Sequence, residues 1–116
     1  MLPAGSRLTA ADQFAVTIRR GRRSGRSYLV VHLHIEGGDD VPRAGLVVSK
    51  AVGGSVVRHR VARRLRHLLA PRLAALPAGA LVVVRALPPS AGASSAELGV
   101  DLDAALQSVL RKAVRT

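Results

Sequence analysis

The sequence contains no cysteine and very few aromatic residues. Without cysteine, its 116 residues can form neither disulfides nor cysteine-ligated metal sites, which fits a reducing compartment. Phe14 and Tyr28 are its two aromatic residues, so stacking on nucleobases has to use these rings or a guanidinium plane. It also lacks a run of about 18 apolar residues, and its amino terminus lacks the basic-then-apolar order of a secretory signal. We therefore expect a cytoplasmic protein that does not span a membrane.

Carboxylates are scarce as well. Seven acidic residues stand against 18 lysines and arginines, which gives a formal net charge of +11, and no acidic residue lies between positions 44 and 96. Such a field attracts RNA, DNA or an anionic membrane before any specific contact forms. The apolar content of 48% still suits one compact domain with a core of ordinary size.

The most informative stretch is a basic helix predicted over residues 57–69. At about 100° per residue, one arc of this helix is apolar and faces a core. Because no carboxylate lies one turn away, the arginines on the opposite arc repel one another, and a polyanion would relieve that repulsion. Arg58 points along the apolar arc, but in the first turn, from which its side chain can pass the helix end. The apolar arc holds Val57, Val61, Leu65, Leu68 and Leu69. The basic arc holds His59, Arg60, Arg63, Arg64, Arg66 and His67.

The remaining pattern predicts a small sheet with helices over one side. A helix is expected over residues 10–20, with Ser6 or Thr9 as its cap, followed by a mobile basic loop over residues 19–26. Strict alternation predicts a strand over 27–35, and a second strand over 43–50 is expected to run antiparallel to it. Continuous valines predict an interior strand over 80–86.

Helix boundaries complete the predicted order α-β-β-α-β-α, an α+β fold of the α/β sandwich type. Ser55 is a possible cap for the basic helix and Pro71 is expected to close it. Ser94 and Glu97 have capping-box spacing ahead of a last amphipathic helix. We expect one sheet face to be incompletely covered, with a groove beside the first helix. That face is predicted to bear Tyr28, Val30, His32 and His34.

No constellation for protein-based catalysis appears in the sequence. It has no cysteine nucleophile, no H-E-x-x-H, no P-loop and no G-x-S-x-G. Asp39 and Asp40 stand in a glycine-containing stretch and are interpreted as a turn rather than a metal site. His32 and His34 share a strand face without a nearby carboxylate to orient them, so we interpret them as polar groove lining.

The sequence around the basic helix resembles the protein component of bacterial ribonuclease P. Arg58-His59-Arg60 corresponds to the Arg-Asn-Arg signature of that family, with His59 in place of asparagine. Elsewhere Ile18 stands where the family often has a second phenylalanine. The likeness extends over nearly the whole chain. Further matching positions are Met1-Leu2-Pro3, Arg7-Leu8, Asp12-Gln13-Phe14, Lys50, Gly53, Val56, Val61, Arg63, Arg66 and the strand over 81–84.

The resemblance implies that residues 1–116 form a single ribonuclease P protein-like domain with a left-handed crossover at the basic helix. It implies a subunit that helps a catalytic RNA to remove the 5′ leader from precursor tRNA. Magnesium would act through the RNA subunit and the substrate rather than in a protein cage, and no protein partner is inferred. The residues expected to bind the RNA subunit are Lys50, Arg58, His59, Arg60, Arg63, Arg64 and Arg66. Those expected to line the leader groove are Phe14, Ile18, Tyr28, Val30 and His32.

Two other interpretations share the charge and size of this sequence. A structural ribosomal protein, or another RNA-binding protein without a nuclease role, would bind RNA and give no help to leader removal. A stand-alone nuclease would need a protein base or metal site, which the sequence does not suggest.

Overall fold

A computed structural model describes residues 11–114, apart from the side chain of Val114, and shows helices on both faces of a four-stranded sheet. Two 3-10 turns, Leu73–Ala75 and Pro88–Gly92, flank the last strand. None of the described helices is long and apolar enough to cross a membrane. The helices are α1 (Ala11–Arg20), α2 (Ser55–Arg72) and α3 (Ser95–Val114). The strands are β1 (Arg22–Gly25), β2 (Leu29–Ile35), β3 (Arg43–Val47) and β4 (Ala80–Ala86).

The strand order is β1-β2-β4-β3, which places the valine-rich β4 in the interior, as its apolar run predicts. β2 is antiparallel to β1 and β4, whereas β3 is parallel to β4. The second predicted strand therefore runs antiparallel to the first but does not pair with it, since β4 lies between them. Helix α2 connects the parallel neighbours β3 and β4. The left-handed course of this crossover stays a prediction.

The basic segment after α1 is a strand rather than the predicted mobile loop. β1 pairs with β2 from Arg22 opposite Leu33 to Gly25 opposite Val30. Gly21 is the one residue between α1 and β1, and the chain backbone passes very close to it. A side-chain carbon at this position would press against the Thr17 carbonyl and lie 2.6 Å from the Leu33 carbonyl oxygen, so glycine is required there. The segment has almost no apolar residues, so it lacks the alternation by which a strand is recognised in sequence.

The main core lies between the sheet and helices α2 and α3. Both helices bury the apolar stripes that the sequence predicts, and Leu65, Leu69 and Leu102 are fully buried. A smaller cluster lies on the opposite sheet face, where Phe14 of α1 packs with Leu81, Val83 and Val47. The expectation that all helices cover one side is therefore wrong, because α1 packs on the second face through the half-buried Phe14.

The ends of α2 differ from the prediction at both termini. Gly54 is its N-cap and makes no side-chain cap hydrogen bond, so Ser55 is the first helical residue rather than the cap. Pro71 lies inside the helix, which ends at Arg72. Arg72 supports this last turn, since Nη1 donates to the Leu68 carbonyl at 2.6 Å and Nε pairs with Asp103 of α3 at 2.6 Å.

The predicted capping box of α3 is confirmed. The Glu97 backbone N–H donates to Ser94 Oγ at 3.1 Å, and the Ser94 N–H donates to Glu97 Oε1 at 2.9 Å. The caps proposed for α1, Ser6 and Thr9, lie outside the described residues.

Candidate RNA interface

The outward side of α2 is a continuous basic surface, which we call the α2 basic face. Among residues 11–114, two ion pairs occur, Arg43 with Asp40 and Arg72 with Asp103, so no carboxylate neutralises this face. Lys50 is exposed in the turn that leads into the helix. The surface therefore presents a dense field of guanidinium groups to any polyanion. It consists of the predicted basic arc, His59, Arg60, Arg63, Arg64, Arg66 and His67, all exposed except the half-buried Arg64.

Two arginines of this face also form hydrogen bonds within the protein. Arg60 Nη2 donates to the Ala91 carbonyl at 2.9 Å, and Arg64 Nη1 donates to the Ala93 carbonyl at 2.7 Å. Both carbonyls belong to the segment between β4 and α3, so these side chains fasten that segment to α2. Each guanidinium keeps its charge and further N–H donors. Sequence reasoning assigned both arginines to RNA docking and missed this structural role, because the two carbonyls are about 30 residues away in the chain.

Arg58 takes the position predicted from its place on the helix wheel. It is half-buried, and its Nε atom is buried without a hydrogen-bond partner in the described part of the chain. The side chain thus lies along the apolar side of α2, in the first turn. An uncompensated buried N–H costs about 1–3 kcal/mol, so a partner that supplied an acceptor here would be favoured.

The predicted leader groove is more covered than the sequence suggests. Val30 is 7% exposed and His32 is 2% exposed. Phe14 is half-buried against β4, while Ile18 is 39% exposed. These four residues belong to α1 and to the sheet face that it covers, and their role in holding a leader stays a prediction. A long polymer would therefore contact the exposed Ile18 more easily than the buried Val30 and His32.

Tyr28 departs from its predicted position on that face. It precedes β2, so strand alternation does not govern it, and its ring packs against the main core on the α3 side. Its hydroxyl donates to Glu97 Oε2 at 2.9 Å, and its backbone N–H donates to Asp101 Oδ2 at 2.9 Å. The bond to Glu97 raises the pKa of Tyr28, whereas the Ser94 N–H lowers the pKa of Glu97. Through these two hydrogen bonds, Tyr28 fixes the start of β2 to α3.

His32 is the most unusual side chain beneath α1. Neither ring nitrogen has a hydrogen-bond partner among the described residues. Burial lowers the pKa of His32, and the positive charges of Arg85 and Arg23 lower it further. These two arginines were not selected from the sequence. Arg85 could have been noticed in the sequence, because it interrupts a run of valines in a strand predicted to be buried. Arg23 could not, because its place beside His32 depends on the pairing of β1 with β2.

The acidic loop is a turn, as interpreted from the sequence. Gly37 and Gly38 have φ of 76° and 98°, and Asp40 pairs with Arg43 at 3.8 Å. Within residues 11–114, no group of three or more His, Cys, Asp or Glu side chains is arranged to hold a metal ion.

Comparison with known proteins places these features in context. The profile of the Ribonuclease P family matches residues 2–110. The ribonuclease P protein component of Streptomyces bikiniensis is 58% identical over 95% of this chain and 96% of its own length. That of Corynebacterium diphtheriae is 50% identical over 97% of this chain and 99% of its own.

Solved structures agree on the fold. The RNase P protein of Staphylococcus aureus superposes with a TM-score of 0.78 at 20% identity, covering 88% of this chain and 93% of that one. The RNase P protein of Thermotoga maritima gives a TM-score of 0.74 at 22% identity, covering 90% and 96%.

Proposed function

Because this chain belongs to the ribonuclease P protein family, whose members are subunits of an endoribonuclease that works with an RNA subunit, we propose that it assists removal of the 5′ leader from precursor tRNA. The observation that carries the proposal is the carboxylate-free α2 basic face on a chain of this family. The reaction takes place in the cytoplasm, consistent with the absence of cysteine.

The α2 basic face docks the catalytic RNA. Arg63, Arg66 and His59 are exposed, and their side chains form no hydrogen bond or ion pair within residues 11–114, so they are available to phosphate oxygens. Arg60 and Arg64 contribute charge from fixed positions, since each is already oriented by a backbone carbonyl. Arg58 and Lys50 extend the surface at the start of α2. Electrostatic contacts of this kind give affinity without sequence specificity.

The leader binds beside α1. Phe14 and Ile18 of α1 offer apolar contact, and Val30 and His32 form the floor beneath them. Tyr28 acts here through its bonds to α3, which fix the start of β2. Single-stranded RNA in such a groove is held by its shape and backbone rather than by base reading.

Catalysis belongs to the RNA subunit. Magnesium supplies charge stabilisation and an activated water when it is bound to RNA and substrate. The role of this chain's own residues is to neutralise phosphate repulsion between catalytic RNA and substrate and to hold the leader in place. Less magnesium should therefore be needed when the protein is present.

The test is cleavage of precursor tRNA at low magnesium by catalytic RNA alone, by protein alone and by the mixture. We expect strong cleavage at the mature 5′ end in the mixture only. A mixture no better than RNA alone would overturn the proposal and favour a ribosomal or other RNA partner. Cleavage by the protein alone would instead indicate a nuclease site of its own.

A further inference from the structure

Three basic side chains from three different strands lie on the sheet face that α1 covers. His32 of β2 is directly opposite Arg23 of β1, and Arg85 of β4 is directly opposite Val30, two residues from His32. Opposed residues of an antiparallel pair share a face, as do residues i and i+2. Arg23, His32 and Arg85 therefore share one face, and we call them the sheet site.

The two arginines flank His32 and are close enough for both guanidinium groups to contact one bound anion. Their Cα atoms are about 10 Å apart across the strands and about 7 Å apart along them, from ordinary strand spacings. Both side chains are exposed, and neither has a carboxylate within ion-pair distance among the described residues. Between them lies the 2%-exposed imidazole with two unpartnered nitrogens. Within residues 11–114, the site thus combines two guanidinium groups without an ion-pair partner and a buried polar ring whose nitrogens accept or donate no hydrogen bond.

We propose that Arg23 and Arg85 bind a backbone phosphate of the single-stranded leader above His32. The inference rests on the proposed function and identifies which chemical group of the leader is held at that site. A phosphate suits it because guanidinium forks donate paired hydrogen bonds to phosphate oxygens. Arg85 shares its strand face with Val83, against which Phe14 of α1 packs, whereas α2 packs on the opposite face of the sheet. This position favours the leader over the catalytic RNA.

His32 makes this site sensitive to pH. Arg23 and Arg85 oppose its protonation, and a bound phosphate would offset their charge. Other charged groups near this face are Arg43 of β3, which pairs with Asp40, His34 of β2, and Asp12, Arg19 and Arg20 on the exposed side of α1. The pKa of His32 is lowered in the free protein, and phosphate binding should raise it. Binding then takes up a proton, so affinity increases as pH falls through the His32 pKa of the complex and levels off below the lower His32 pKa of the free protein.

The first test measures the affinity of the assembled holoenzyme for precursor tRNA with a leader of about two or about ten nucleotides, of which only the longer would reach well beyond the cleavage site. Arg23→Ala combined with Arg85→Ala should weaken binding of the long-leader substrate about tenfold and leave the short-leader substrate unchanged. The corresponding lysine variants should recover part of the loss, because they keep the charge and lose the fork.

The matched control is Arg22→Ala combined with Arg26→Ala, which removes the same charge from β1 and the turn after it. It should leave the affinity for both substrates within about twofold of wild type. An equal loss of affinity in the control would show that the lost affinity depends only on net charge, and it would overturn the proposal. The proposal would also be overturned if the Arg23, Arg85 double variant bound both substrates as tightly as wild type.

The second test follows the imidazole of His32 by NMR during a pH titration, with and without single-stranded RNA of about ten nucleotides. The His32 pKa should increase when RNA is present, and His32→Gln should abolish the pH dependence of long-leader affinity. A pKa that does not move would exclude a phosphate beside the ring. These outcomes are distinct from failure of the proposed function, in which wild-type protein would give no leader-dependent affinity at all.

Discussion

The α2 basic face and the sheet site are both basic surfaces, but they are built in different ways. The first is formed by residues close together on one helix. The second is formed by residues of three strands, which the pairing of β1 with β2 and of β2 with β4 brings to one sheet face. The α2 basic face is exposed and lies above the main core, whereas His32 of the sheet site is buried beside a small cluster. In our proposals the exposed α2 basic face docks the catalytic RNA, whereas the recessed sheet site holds the leader in a pH-sensitive contact.

The largest expected effect concerns the core beneath the α2 basic face. Leu65→Ala removes a fully buried side chain that joins α2 to the sheet, and we expect a loss of about 4 kcal/mol in the free energy of unfolding. Val83→Ala, on the α1 side, is equally buried but belongs to a cluster of few residues, and should cost about 2 kcal/mol. Urea unfolding of both variants tests this difference. Because Val83→Ala removes one carbon fewer than Leu65→Ala, equal losses would mean that the α1 side is packed at least as tightly as the α2 side and would contradict this account.

The next effect is on assembly with the catalytic RNA. Arg63→Ala combined with Arg66→Ala should weaken that binding about 100-fold at low salt, because two exposed charges lose their phosphates. The plot of log affinity against log salt should become less steep by about 1.5 to 2. The comparison is the Arg22, Arg26 double alanine variant described above. An unchanged salt slope would contradict the docking assignment.

Individual arginines of α2 should also differ from one another. Arg64→Ala removes the hydrogen bond to the Ala93 carbonyl and should lower the free energy of unfolding by about 1 kcal/mol. Arg63→Ala, which removes an exposed side chain one position earlier, should leave stability within about 0.5 kcal/mol of wild type. Urea unfolding without RNA separates the two roles. The same stability for both variants would show that the Ala93 contact contributes nothing.

The smallest effect is the pH dependence that His32 gives to stability. Its pKa is lower in the folded than in the unfolded protein, so the unfolded chain takes up a proton first as pH falls. Stability contributed by neutral His32 is therefore complete above the unfolded pKa of about 6.5 and declines as pH decreases below it. We expect His32→Gln to flatten unfolding free energies between about pH 7.5 and 5.5 relative to wild type. An identical pH profile for wild type and variant would contradict this account.

Features that depend on one element could be predicted from the sequence. The buried stripe and basic arc of α2 follow from helix periodicity, and the capping box of α3 follows from the spacing of Ser94 and Glu97. Features that depend on pairing could not. β1 has no alternating apolar residues, and its pairing is supported by the close packing of Gly21 and by a 2.7 Å hydrogen bond from Lys112 Nζ to the Arg23 carbonyl.

The position of Tyr28 shows the same limit at a strand end. Alternation places it with Val30 and His32, yet the strand begins one residue later and Tyr28 bonds to α3 instead. The sheet site was missed for a related reason, since Arg23 and Arg85 are 62 positions apart and meet only through the order β1-β2-β4. Family resemblance supplied the expected role of the fold, while the register identified the side chains that flank His32.

The most direct test of the division between the two surfaces measures two affinities for two variants. The Arg63, Arg66 and the Arg23, Arg85 double alanine variants would each be assayed for binding to catalytic RNA and, at saturating protein, for the preference of the holoenzyme for long over short leaders. We predict that the first variant loses assembly affinity and keeps the leader preference, while the second keeps assembly and loses the preference. Parallel losses of both properties in both variants would contradict separate RNA partners for the two surfaces.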